Sequence, residues 1–93
     1  MSQLLTEAEI RECANGLSGW TVAGNQLQIR RTFKDFVTAI EFVNKLVEPA
    51  ELAGHHPDIE ISYNKVKVTL TTHDVGGLTQ KDFDLAAVIS QIS

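Results

Sequence analysis

The sequence predicts an α+β domain: a four-stranded antiparallel sheet with three helices packed on one face. Three observations lead there. Residues 20–33 and 58–71 each hold two runs of alternating apolar and polar side chains around a turn-prone pair, the pattern of a β-hairpin. Three other segments carry apolar residues at helical spacing, opened by the capping residues Thr6, Asp35 and Thr79. The resulting order of helix, hairpin, helix, hairpin, helix buries every apolar stripe at once when the helices share one face of the sheet.

In the first helix Thr6 caps, Glu9 reaches back as its box partner, and Leu5 is placed to staple onto Ile10. Ile10, Cys13, Ala14 and Leu17 follow at helical spacing, with Gly16 as the expected terminator. Cys13 lies on that apolar stripe with no base beside it, so it reads as a core residue and not a nucleophile. The first hairpin turns at Gly24-Asn25, and Leu27, Ile29 and Phe33 alternate with Gln28, Arg30 and Thr32. Arg31 breaks the apolar face. Trp20, at the strand start, reads as core packing in preference to ligand stacking.

Asp35 opens the strongest helix, whose broad apolar face holds Phe36, Ala39, Ile40, Phe42, Val43, Leu46 and Val47. Pro49 interrupts it, because proline lacks an N–H and clashes with the preceding turn. A kink near Pro49, or a fresh short turn over 49–53, is expected before Gly54 ends the segment. In the second hairpin Ile59, Ile61 and Tyr63 alternate with Asp58, Glu60 and Ser62 up to a turn at Asn64-Lys65. Val66, Val68 and Leu70 then alternate with Lys67, Thr69 and Thr71. Val75-Gly76-Gly77 reads as a flexible joint. In the last helix Thr79 caps, Leu78 staples to Phe83, and Asp82 sits at the third helical position.

The 93 residues suit one domain over 1–93, large enough for a core without staples. A formal charge of −4 argues against a nucleic-acid partner, since phosphate binding needs clustered Lys and Arg. Arg30 and Arg31, adjacent on a strand, point to opposite faces and read as solvated. A single cysteine excludes an intrachain disulfide and fits a reducing compartment. The N-terminus shows no signal-peptide pattern, and no apolar run is long enough for a membrane span, so a cytoplasmic location is expected.

All three histidines, His55, His56 and His73, fall within one stretch, and the second hairpin brings His56 and His73 to the same end of the sheet. Three readings compete. The histidines are incidental, with His55 at a helix end and His73 facing solvent. They bind a metal together with Glu51, Asp58 or Asp74, although adjacent histidines on an extended strand point in opposite directions. Or they act as general acid and base around a polar organic ligand, with the strand-end hydroxyls of Thr71 and Thr72 adding contacts. No nucleophile triad, phosphate loop or dinucleotide fingerprint is present.

Glu51, His55-His56-Pro57, Tyr63, His73 and Asp82, at these spacings, are similar to the signature of the pterin-4a-carbinolamine dehydratases. Gly19-Trp20, Phe33-Lys34-Asp35-Phe36 and Tyr63-Asn64-Lys65-Val66 also resemble that family, so the likeness spans nearly the whole chain. The resemblance implies dehydration of a 4a-hydroxytetrahydropterin, made by aromatic amino-acid hydroxylases, to the quinonoid dihydropterin, with no metal or organic cofactor. It implies that His55, His56 and His73 are catalytic, with His56 as the acid and His55 or His73 as the base. Glu51, Pro57, Thr71, Thr72 and Asp82 would then contact substrate, while Asp82 is equally well explained as a helix cap. Members form homodimers or homotetramers, and some animal members stabilise dimers of a homeodomain transcription factor. That makes a non-catalytic interaction module the alternative. Pro49 departs from the family pattern, ahead of His55.

Overall fold

Local capping decides where the helices begin. The computed structural model describes residues 3–92 and places α1 at Glu7–Asn15. Thr6 N–H donates to Glu9 Oε1 at 2.8 Å and Glu9 N–H donates to Thr6 Oγ1 at 3.1 Å, the reciprocal box that the sequence predicts. None of α1 is fully buried; Ile10, Cys13 and Ala14 lean half-buried on the core, which gives Cys13 its structural role.

Strands β1 (Thr21–Ala23) and β2 (Gln26–Thr32) form the first hairpin, with Gly24 supplying φ +61° at the turn. Strands β3 (Asp58–Ser62) and β4 (Lys65–Leu70) form the second. All pairings are antiparallel and the order is β1-β2-β4-β3. Leu27, Ile29, Val66, Val68 and Leu70 line the covered face and are buried. β3 lies at the edge and is exposed along its length, so Ile59 and Ile61, expected on a buried face, stay 36% and 40% exposed. The turn falls one residue earlier than predicted, at Tyr63-Asn64. Asn64 explains the shift: its carbonyl accepts from Phe33 N–H at 2.8 Å, and its Nδ2 donates to Phe33 O at 2.7 Å. Tied to the end of β2, Asn64 leaves Tyr63 in the loop with φ +54°.

Helix α2 (Phe36–Lys45) starts at Asp35, whose Oδ1 accepts from both the N–H and the hydroxyl of Thr38. The Asp35 carboxyl is held below its ordinary value of 3.8, first by the Thr38 hydroxyl and then by the Thr38 N–H; burial opposes the shift, and the charge of Lys34 adds to it last. The cap therefore contributes fully above that value, and its contribution is lost as the pH falls through the lowered folded value. Asp35→Asn, which does not titrate, should flatten the acid limb of a stability–pH curve below about pH 4. Denaturation midpoints across that range check it; an unchanged acid limb would remove Asp35 from the linkage.

The predicted interruption comes three residues before Pro49. Leu46 separates α2 from α3 (Val47–Ala53), and Pro49 occupies the first turn of α3. A proline cannot donate to the carbonyl four residues back, here Lys45, so the break lies at the junction and the first turn tolerates the ring. Ala39, Phe42 and Leu46 face the core, but Phe36 and Val47, placed on the apolar face by spacing, remain 51% and 59% exposed. Helix α4 (Gln80–Ser90) buries Phe83, Leu85, Ala86 and Ile89. Arg31, read from sequence as solvated, is half-buried: it donates to the carbonyls of Ile92 at 2.6 Å and Ser90 at 3.5 Å. A guanidinium thus caps the C-terminal end of α4, where a cation suits the helix dipole. Trp20 is buried, and its Nε1 donates to Ser90 Oγ at 2.7 Å.

Candidate functional site

The site begins with the end of α3. Gly54 closes it in the left-handed conformation, φ +60° and ψ 32°. Gly54 N–H donates to Glu51 O and His55 N–H to Ala50 O, the paired closure of a Schellman turn. His55 therefore leaves the helix with a fixed backbone. A Cβ at position 54 would meet nothing within 4 Å, so only the backbone conformation resists it. Gly54→Ala should lower stability by about 1–2 kcal/mol, and Gly54→Asn by less. Denaturant unfolding checks this; equal losses for Ala and Asn would point to a cause other than conformation.

His55 Nε2 lies 2.6 Å from Asp82 Oδ1, and the two side chains are 11% and 0% exposed. Asp82 Oδ2 accepts from the Thr72 hydroxyl at 2.8 Å and from Thr79 N–H at 2.9 Å. Asp82 is thus both the box partner at the start of α4 and the anchor of His55. The helix cap expected from sequence is present, and the same carboxylate also holds His55. His56 makes a separate pair, Nε2 to Glu51 Oε2 at 2.5 Å, and both partners are mostly exposed, at 63% and 67%. Solvent screens that pair, so it orients His56 only loosely. The neighbouring histidines turn to different carboxylates, and among the described residues no three His, Cys, Asp or Glu side chains gather as a metal site.

Pro57 restricts His56 to extended backbone and leads into β3. With Val43, Leu46, Val47, Ala50 and Ile59 it lines a hollow of about 200 Å³ whose rim carries Glu51 and His56. Asp58 pairs with Thr69, so the segments bearing His55-His56 and His73 leave the sheet at one end, the end that also holds the β1–β2 turn. Tyr63, part of the same signature, lies at the opposite end.

β4 stops at Leu70, so His73 does not end the strand; it lies in a closed turn bridged by Thr72 and Gly77. Thr72 N–H donates to Gly77 O at 2.9 Å and Gly76 N–H to Thr72 O at 3.0 Å. The stretch read as a flexible joint is therefore hydrogen-bonded. Asn25, absent from any site reading of the sequence, fastens it by donating to Gly76 O at 3.1 Å and accepting the Thr71 hydroxyl at 2.8 Å. Only its place in a turn marked it. The His73 ring is exposed and has no hydrogen-bond partner among the described residues. The hydroxyls of Thr71 and Thr72 both bond within the protein, and both residues are buried.

The sequence profile of the family described as pterin 4 alpha carbinolamine dehydratase matches residues 3–92. The chain belongs to that family. A relative from Trichormus variabilis, bearing the family's name provisionally, is 75% identical over 93 residues, all of both chains. Another, from Thermosynechococcus vestitus, is 56% identical across all of this chain and 98% of its own. The crystal structure of a transcriptional coactivator/pterin dehydratase from Brucella melitensis aligns with TM-score 0.88 and 38% identity, covering 94% of this chain and 95% of that one. A pterin dehydratase-like protein identified as a RuBisCO assembly factor in the alpha-carboxysome shares the fold, with TM-score 0.61, 22% identity and coverage of 76% and 82%. The pterin dehydratase family thus embraces the whole described fold, histidine segment included.

Proposed function

We propose that the chain dehydrates 4a-hydroxytetrahydropterin to the quinonoid dihydropterin by histidine acid–base catalysis, returning the pterin of aromatic amino-acid hydroxylases to use. The observation that carries this reading is a histidine held by a buried carboxylate, His55 on Asp82, beside the more exposed His56–Glu51 pair. Loss of water needs a proton on the departing oxygen and a base for the N5 proton. His56, paired to Glu51 and open to solvent, protonates the hydroxyl as the C4a–O bond breaks. His55 takes the N5 proton, and the N–H electrons close the N5–C4a double bond. One proton is given and one accepted, so the enzyme's net protonation is unchanged. Pro57 and the apolar hollow beside His56 offer a wall for one face of a flat ring. His73, which has no hydrogen-bond partner among the described residues and leaves the sheet at the same end, would assist proton removal.

The test follows water loss from freshly generated 4a-hydroxytetrahydropterin by wild-type protein and by His73→Ala. The variant should lose about 10²-fold in turnover with its melting temperature nearly unchanged, because an exposed side chain without partners carries little stability. Intact turnover with a large loss of stability would reverse the assignment.

A second reading, an interaction module, has its own observation. β3 is an exposed edge strand carrying half-covered Ile59 and Ile61, and Leu52 on α3 is 81% exposed. Such surfaces suit self-association as a homodimer or homotetramer. The name of the Brucella melitensis protein couples coactivator with dehydratase. A folded protein that leaves the water-loss rate unchanged would favour this reading.

A further inference from the structure

We propose that Thr72 and Thr79 are positioning residues that hold the Asp82 carboxylate against Nε2 of His55, leaving Nδ1 as the nitrogen that exchanges protons. The inference rests on the dehydratase reading for its catalytic meaning, but not for the proton placement itself. Thr72 has one hydroxyl proton, and it is directed to Asp82 Oδ2 at 2.8 Å. The 2.8 Å contact between Thr72 Oγ1 and Thr79 Oγ1 must then run from the Thr79 hydroxyl to a Thr72 lone pair. The result is a directed chain, Thr79 to Thr72 to Asp82, within a cluster whose three members are at most 1% exposed.

With Thr79 N–H also on Oδ2, that oxygen is committed inward by two donors. The plane of the carboxylate is set, and Oδ1 faces His55. As a carboxylate, Asp82 offers His55 only lone pairs, so Nε2 carries the hydrogen of the 2.6 Å bond. In the neutral ring the base is therefore Nδ1, which has no partner among the described residues. During dehydration the N5 proton passes to Nδ1, the Nε2 proton stays with Asp82, and the imidazolium formed is stabilised by the carboxylate. The exposed Glu51–His56 pair has no such buried support, so only His55 has its tautomer imposed by the fold.

The experiment uses the full chain labelled with ¹⁵N, with long-range proton–nitrogen spectra of the imidazoles and turnover measured together. Neutral wild-type His55 should show the Nε2–H tautomer, with a downfield Nε2–H resonance protected from solvent exchange. Thr72→Val should lose that protection and about tenfold in kcat with KM little changed, the worth of one hydrogen bond to a charged group. Thr72→Ser, which restores the hydroxyl, should recover both. A wild-type ring protonated on Nδ1 overturns the proposal, and this readout stands even if Thr72→Val fails to fold. Wild-type protection and turnover in Thr72→Val would also overturn it, reducing Thr72 to a packing residue. An Nε2–H tautomer in a protein that does not dehydrate the pterin would refute the proposed function and leave the proton placement standing.

Discussion

Asp82→Asn should lower turnover by between about 10² and 10⁴-fold while the protein still folds. The amide is nearly isosteric, and its carbonyl can take over both bonds of Oδ2, from the Thr72 hydroxyl and the Thr79 N–H. Those two donors leave it one orientation. The amide NH₂ then faces His55 Nε2, which must accept, and the ring proton moves to Nδ1. The base is blocked on the side where it is needed. Asp82→Ala tests the other half of the residue's work: it removes the box partner of α4 and orphans buried donors, at about 2–4 kcal/mol of stability. Turnover and denaturant midpoints measured on both variants separate the effects. Near wild-type turnover in Asp82→Asn would make Asp82 a cap alone.

Phe42→Ala should cost about 3–5 kcal/mol, the largest stability loss expected of a single truncation in this fold. Phe42 is 1% exposed, its ring centroid lies 5.1 Å from that of Phe33, and the Arg31 guanidinium sits 5.0 Å from its centroid. Removing the ring opens a cavity and also strips a wall from the arginine that caps α4. Phe42→Leu restores most of the volume but not the aromatic face, and should cost about 1–2 kcal/mol. Urea unfolding monitored by Trp20 fluorescence provides the comparison. A loss below about 1.5 kcal/mol for Ala would show that α2 repacks and does not hold the core in register.

Features governed by near neighbours were legible in the sequence. The Thr6–Glu9 box, the Asp35 cap and the Thr79–Asp82 box each join residues three apart, so composition and spacing suffice. The two hairpins and the α+β class followed from alternation and turn chemistry. What escaped depends on partners distant in sequence. Arg31 looked like a flaw in an apolar face because the carbonyls it caps lie about sixty positions later. Asn64 pulled the second turn back by one residue through its bonds to Phe33. Strand order placed β3 at the edge, and alternation alone does not distinguish an edge strand from a central one.

The site divides in the same way. His55, His56, His73, Glu51 and Asp82 were picked out by clustering and by likeness to a family signature, and the family membership holds. Their pairing was not legible. His55 and Asp82 are 27 residues apart, and only the packing of α3 against α4 brings them together. Thr79 read as a cap, with nothing to show that its hydroxyl continues through Thr72 to the same carboxylate.

The most direct measurement is the rate at which freshly generated 4a-hydroxytetrahydropterin loses water with and without the purified chain, in excess chelator. The account predicts acceleration that survives the chelator and falls by at least about 10²-fold in Asp82→Asn. Acceleration abolished by the chelator would contradict proton transfer by the histidines alone, and no acceleration by the folded protein would contradict the dehydratase function itself.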